Sequence, residues 1–506
     1  MLRKRYRNRY RKRYRPGDVS NMKQRVRKYL KKGKGEKTMK KKLLSALLSV
    51  AMVSTLLVGC GGTAEEAAPA GDAAVEEAAP AEDAAAAEAT GTGTGKVYYL
   101  NFKPEVDEAW QEIAKAYTAE TGVEVKVVTA ASGTYEEVLR TEIAQEEPVT
   151  LFQINGPIGY LNWKDYCKDL TDTELYKALS DPSLAVTADG GVYGVPYTVE
   201  AYGIIYNNAI MEKYFATEGA AATSMADINN FETLKAVAED MQAKAADLGI
   251  QGAFASTSLL PGEDWRWQTH LANIPVYYEY KDKGVSDLAE LEFTYGANFK
   301  NIFDLYINNS TCAPGLLGSK SVTDSMAEFA LGQCAFVQNG NWGWGQIAGV
   351  EGNVVAAEDV KFLPIYTGVA GEEGQGLCTG TENFWCVNSQ ASAEDQKATE
   401  DFVNWMISSD AGKDYMVNTL GNAAPFSTFT DDEKPSDPLA KEMYAYMENG
   451  KTSVSWNFTS FPSQQFKDDF GSALLEYCNG NMSWDDVANT VVTRWAEEKA
   501  ALAAAQ

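Results

Sequence analysis

Histidine is almost missing: His270 is the single one in 506 residues. Any Ser-His-Asp or Cys-His arrangement would therefore depend on one side chain in WRWQTHLAN, and a lone histidine in so apolar a stretch reads as structural. No HExxH, no phosphate-binding GxxxxGK and no GxSxG elbow occurs. Cysteine is sparse after Cys60. Cys167, Cys312, Cys334, Cys378, Cys386 and Cys478 are scattered, with no CxxC pair, so neither a zinc site nor a thioredoxin-like motif is present. They read mostly as small buried apolar side chains, although an export compartment permits bridges whose pairing sequence does not assign. No metal and no cofactor is expected. After Cys60 there is also no apolar run of 18 residues. Paired carboxylates of the glycoside-hydrolase kind are not removed by any of this, because acidic residues abound and sequence spacing does not report spatial spacing.

Basic charge is scarce too, once its distribution is considered. Residues 1–59 hold 20 of the 45 Lys and Arg but 2 of the 70 Asp and Glu, leaving 25 basic against 68 acidic residues from Cys60 onward, a formal charge of −43. Such a surface repels nucleic acid and anionic lipid at long range. The early basic residues sit in an arm with interleaved Tyr6, Tyr10 and Tyr14, followed by Met39-Lys40-Lys41-Lys42 and the apolar run LLSALLSVAMVSTLLV. A cationic segment, 16 apolar residues and then Leu57-Val58-Gly59-Cys60 make a signal too short for the ~20 residues of a membrane span. The last four resemble the lipobox of bacterial lipoproteins, which implies cleavage before Cys60 and acylation of its sulfur. Residues 39–59 are then the signal peptide, and 1–38 an extension read as a mis-assigned start upstream of Met39, with an unusually long n-region as the alternative. Residues 60–96, rich in Ala, Glu, Pro and Gly, bury too little apolar surface to fold. They form a tether whose 36 residues after Cys60 span roughly 30–36 Å.

Residues 97–506 exceed what one core organises, and two lobes are expected. VYYLNF is a strand, and EVDEAWQEIAKAYTAETG carries Ala109, Ile113, Ala116 and Tyr117 at helical spacing with Gly122 as its stop. VEVKVVTA, TYEEVLRTEIAQEE and VTLFQIN continue the alternation, which predicts parallel pairing with right-handed crossovers. Ligands of such sheets sit beyond the carboxyl ends of the strands, here near Lys103, Gln153 and Asn155. GGVYGVPY and AYGIIYNN follow as extended stretches, then amphipathic helices, a return to strands in VKFLPIY and NFWCVNS, and a helical C-terminus.

Three segments carry a resemblance. GVYGVPYTVEAYGIIYNNAIM, MAEFALGQCAFVQNGNWGWGQIAG and ENFWCVNSQASAEDQKATEDFVNWMISSDAGKDYM, in that order, resemble the crossing and second-lobe segments of solute-binding proteins of sugar ABC transporters, closest in style to maltose-binding proteins. The resemblance implies an α/β, two-lobed periplasmic-binding-protein-like fold, each lobe a mostly parallel sheet flanked by helices. Lobe 1 would comprise 97–200 and 369–427, and lobe 2 would comprise 201–368 and 428–506. It further implies a monomer that captures a mono- or oligosaccharide by hinge closure and hands it to a membrane permease driven by a cytoplasmic ATPase, with no catalysis. A surface carbohydrate-active enzyme, or the same fold holding a polyol phosphate or peptide, stays open.

Sugars present hydroxyl edges and C–H faces, so a site needs aromatic platforms beside carboxylates and amides. Trp265, Trp267, Trp342 and Trp344 supply the first, and Glu200, between Tyr197 and Tyr202, supplies the second. By resemblance Glu200 falls on a carboxylate that holds sugar hydroxyls, Trp342 on a stacking indole, Lys103 on a polar contact and Trp265 near an aromatic contact. Asn155 and Gln153 stand where relatives often place an acid. Asn339 opens the NGxW turn, Glu382 and Asn383 are candidates to face the cleft, and Trp385 reads as core or hinge. Near the C-terminus Phe461 and Phe466 stand in for a stacking Trp, a weaker platform.

Overall fold

The computed structural model describes residues 93–505; the signal, Cys60 and all but the last residues of the tether lie outside them. Two sheets organise the chain. The first has strand order β2-β1-β3-β11-β5-β4, built from β1 (Lys96–Asn101), β2 (Glu124–Thr129), β3 (Leu151–Asn155), β4 (Val186–Ala188), β5 (Gly191–Pro196) and β11 (Asn383–Val387). The second runs β12-β10-β6-β8-β7, with β9 also on β6. It uses β6 (Glu200–Asn207), β7 (Gly252–Phe254), β8 (Cys334–Gly340), β9 (Val360–Leu363), β10 (Gln375–Gly380) and β12 (Thr452–Ser455).

The opening β-α-β-α-β unit forms as expected, with β1 parallel to both β2 and β3. Helix α1 (Asp107–Thr121) ends at Gly122, whose φ of 75° places it in the left-handed region and whose N–H returns to Thr118 O. Its buried stripe is Trp110, Ile113, Ala114 and Tyr117, so the helix is turned slightly from the face that Ala109 and Ala116 would mark. Helix α2 (Tyr135–Glu142) and helix α3 (Gly156–Trp163) follow β2 and β3.

Both sheets are mixed rather than mostly parallel. In the first, β11 returns from the other lobe and lies antiparallel to β3 and β5. In the second, β6 is antiparallel to β8, β9 and β10, while β7–β8 and β10–β12 are parallel. A strand that enters a sheet by crossing from another lobe has its direction set by the crossing and not by a local helical return. The crossings are short, between Pro196 and Glu200 and between Gly380 and Asn383. Residues 375–380, expected in lobe 1, thus belong to the second sheet, and Glu200 opens the second sheet instead of closing the first. A third passage follows Phe426, bridged to Leu179 in the first lobe, and leads to α10 below.

The second lobe adds α4 (Asn208–Phe215), α5 (Phe231–Ala243), α6 (Ala272–Lys283), α7 (Gly296–Asn308) and α8 (Val322–Ala330). Helix α9 (Ala393–Ser408) packs under the first sheet through Phe402 and Met406. The chain ends with α10 (Pro438–Glu448), α11 (Gln464–Cys478) and α12 (Trp484–Ala505). Caps explain several starts: the Asn230 side chain accepts from Thr233 N, and Ser321 and Asp324 form a reciprocal box before α8. The six body cysteines are unbridged, and the Cys167 thiol donates a long hydrogen bond to Cys386 Sγ at 3.9 Å without a disulfide. No described helix is long and apolar enough to cross a membrane.

Candidate functional site

Each lobe sends one charged group to the crossing. From the first lobe comes Lys103. Buried Asn101 clamps the Lys103 backbone at both ends, accepting from its N–H at 3.1 Å and donating to its carbonyl at 2.7 Å, and Pro104 then opens a tight turn. From the second lobe comes Glu200, first residue of β6, whose neighbour Val199 is bridged to Ala423. The Lys103 ammonium donates to Glu200 Oε1, with side-chain exposures of 11% and 4%. Burial pulls the ammonium pKa down, but the Glu200 and Glu105 carboxylates outweigh it, and the net shift is upward.

Above this pair lies Trp342, whose ring centre is 5.4 Å from the Lys103 nitrogen. The indole stands on the turn Asn341–Gly343 at the end of β8, and Asn341 Oδ1 accepts from Ala201 N at 2.9 Å, tying that turn to the start of β6. Gly340 is required here, because a Cβ would meet the Trp342 ring at 2.1 Å. Around it gathers an aromatic cluster: Trp265 at 6.3 Å, His270 at 5.5 Å and Trp456 at 6.4 Å, with Tyr202 stacked on His270 at 4.3 Å. Trp265 and Trp342 are half-buried, so part of each indole faces outward. The cavity beside Trp342, Lys103 and Glu200 is also lined by Glu105, Val106, Trp110, Tyr197, Leu420 and Asn422, and is narrow at about 30 Å³.

Buried polar atoms without partners collect at the same place. They include Asn155 Oδ1 and Asn383 Nδ2, which face each other in register across β3 and β11, Thr381 Oγ1 in the crossing, His270 Nδ1 and Trp456 Nε1. Native interiors satisfy nearly all such groups, so orphans flanking the crossing are available to a polar molecule bound there. Burial, with Arg266, Lys467 and Lys103 nearby, pushes His270 well below its usual range and keeps it neutral.

A model of the family described as bacterial extracellular solute-binding protein matches residues 112–442. The chain belongs to that family. No curated protein matches it significantly. Among solved structures, this solute-binding protein resembles a chitin oligosaccharide binding protein at 17% identity and TM-score 0.63, over 81% of this chain and 99% of that one. It also resembles the solute-binding protein RafE in complex with raffinose, at 18% identity and TM-score 0.57 over 80% and 100%. Maltose-bound MalE3 of T. maritima matches at 15% identity and TM-score 0.59 over 79% and 98%. At these identities the likeness establishes a shared two-lobed fold.

The geometry of this solute-binding protein sorts the expected residues. Lys103, Tyr197, Glu200 and Trp342 line the same cavity, and Trp265 stands 6.3 Å from Trp342. Gln153 stands behind them, accepting from Phe102 N at 2.7 Å and donating to Tyr197 OH at 2.9 Å. Tyr202 is wholly buried as the floor under His270, its hydroxyl donating to His270 O. Four others are placed elsewhere. Trp267 is core, its indole N–H held by the Thr257 and Ser258 carbonyls. Trp344 packs against the opposite flank of the second sheet, beside Ile347 and Met326. Asn339 is spent on Met326, Gln346 and its own Gly340 N–H. Phe461 is buried between Phe466 and Trp495. Trp385 is core, stacked on Tyr197 at 4.8 Å.

Trp456 and Arg266 went unread in the sequence. Trp456, five residues before Phe461, is buried in the aromatic cluster, 6.4 Å from Trp342. Its one available signal was SVSWNF, a strand running into a polar turn. A Cβ on Gly380 would meet its ring at 2.6 Å, so the crossing glycine makes room for it.

Glu382 lies in the second crossing. Burial and the Glu200 carboxylate push its pKa up to about 7 from 4.5, against the opposing pull of Lys103 and Lys467. A carboxyl whose folded pKa is raised stabilises fully below its unfolded pKa, and that contribution is lost as pH rises through the folded value. Melting scans of the unliganded protein should therefore fall between about pH 4.5 and pH 7, and Glu382→Gln should flatten that segment of the profile. An identical slope in the variant would assign the dependence to other groups.

Proposed function

We propose that this solute-binding protein captures a mono- or oligosaccharide between its lobes and delivers it to an ABC importer. One observation carries the reading: half-buried Trp342, with half-buried Trp265 next to it, stands beside the buried Lys103–Glu200 pair, near unpartnered amide, hydroxyl and indole groups. Indole faces suit sugar C–H surfaces, and the polar atoms suit a rim of hydroxyls. Glycan ligands in the solved relatives, raffinose and maltose among them, support the same class. No bond is broken. Lys103 occupies Glu200 as an ion-pair partner, and the chemistry needed is recognition.

The cavity is too narrow for a sugar ring, so entry requires the lobes to part about the short crossings at 197–199 and 381–382. Ligand then bridges them and favours the closed form by its differential affinity. A membrane permease would receive the closed form. Thermal-shift screening of the purified chain against neutral and acidic oligosaccharides, amino acids and peptides tests the proposal, because a ligand at a hundredfold excess over its Kd stabilises by about 2.7 kcal/mol. Stabilisation by amino acids or peptides alone would overturn it, and release of reducing sugar would replace binding by catalysis.

Lipid attachment at Cys60, outside the described residues, would keep the cleft near the permease on its tether. Metabolic labelling with palmitate should mark the chain in its native membrane. Cys60→Ala should abolish the label and move the chain to the soluble fraction; a labelled variant would refute the anchor.

A further inference from the structure

Arg266 is the most conspicuous unmet group in the molecule. Its residue is 0% exposed, and Nε, Nη1 and Nη2 all lack a hydrogen-bond partner. A buried guanidinium with no counter-charge is strongly unfavourable, and native proteins keep one where something binds it. Its backbone is accounted for, since its carbonyl accepts from Gln338 Nε2 at 2.8 Å.

The side chain lies against Trp265, on the flank of the aromatic cluster that holds Trp342. Arg266 opens a π-helical turn, Arg266–Leu271, a wide register that recurs at binding sites. Pro275, just beyond, has no N–H to return to Leu271 O, which favours the wider winding ahead of it. The turn sends Trp267 into the core and leaves Trp265 at the cleft. The guanidinium carbon sits 4.0 Å from the Trp265 ring centre, a stack that holds the plane while its buried N–H groups have no acceptor. The carboxylates acting on it are Glu105, from the first lobe across the cleft, and Glu263 from its own loop. Neither forms an ion pair with it among the described residues. Burial lowers its pKa to about 9, and those two carboxylates offset only part of that fall.

We propose that the sugar bound here carries a carboxylate, as a uronic acid does, and that Arg266 receives it through its planar fork. This rests on the sugar reading above and narrows it. A neutral hydroxyl accepts one or two of the five donors and leaves the charge uncompensated, whereas a carboxylate matches the fork with two parallel bonds and one negative charge. A dianionic phosphate would meet Glu105, Glu200 and the −43 body with twice the repulsion. The stacked, desolvated fork is pre-organised, so the pair gains strength when the lobes close over it.

Calorimetry on the purified chain tests this with matched probes: digalacturonate against galactobiose, and glucuronosyl-xylotriose against xylotetraose. The acidic member of at least one pair should bind at least about tenfold tighter than its neutral counterpart. In Arg266→Met that ratio should collapse toward one, and Arg266→Lys, which keeps the charge but not the fork, should restore part of it. Without ligand, Arg266→Met should melt no lower than the parent, because the group removed is an unpaired buried charge. A structural arginine would lower it. Equal affinity within both pairs, or an acid preference that survives Arg266→Met, overturns the proposal while leaving sugar binding intact. If no sugar of either kind binds, the sugar reading fails and this inference falls with it.

Discussion

Lys103→Met should cost about 3–5 kcal/mol in the closed form, because it strands the Glu200 carboxylate at 4% exposure beside Glu105 and Glu382. The loss comes less from the ion pair itself than from the charge left behind. Lys103 belongs to the first lobe and Glu200 to the second sheet, so the protein has an escape: it can open and rehydrate the carboxylate. Two measurements separate these consequences. Thermal melts of Lys103→Met, Glu200→Gln and the double variant should place the double variant closer to the parent than the sum of the singles. Small-angle scattering should find Lys103→Met expanded relative to the parent without ligand. Additive melts with unchanged dimensions would show that the contact does not latch the lobes.

Trp342→Ala should weaken sugar binding by about 2–3 kcal/mol, or roughly 30- to 150-fold, from lost stacking area and the loosened cation–π contact with Lys103. Its fold should survive. The indole is half-buried and stands on a turn held by Asn341, whose bond to Ala201 N does not involve the ring. Trp342→Phe should recover part of the affinity, because a smaller flat face remains. Calorimetry against whichever oligosaccharide the thermal screen selects reads both variants, and an unchanged Kd in Trp342→Ala would remove the indole from the site.

Much of the architecture was legible because it is written locally. Gly122 stops α1, Asn230 and Ser321 cap α5 and α8, and alternation in the first third implies β1, β2 and β3 in parallel. Lys103, Glu200 and Trp342 could be picked out because each sits at a strand end inside a recognisable segment. Trp265 and Trp267 could not be separated in advance. Two residues apart in GEDWRWQTH, they are assigned opposite fates by a π-helical turn, and a 3.6-residue period carries no information about that register.

By itself, the sequence determined the acidic body, the family segments and the strand and helix starts that capping and glycine stops dictate. Only the tertiary structure decided which indoles stay half-exposed, that Trp456 joins the aromatic cluster while Phe461 packs against Phe466 and Trp495, that residues 375–380 belong to the second sheet, and that Arg266 has no partner. The physical reason is the same throughout. Propensity and capping act within a few residues, whereas burial and pairing are sums over neighbours drawn from segments such as 103, 200, 266, 342 and 456, which only the crossings between lobes bring together.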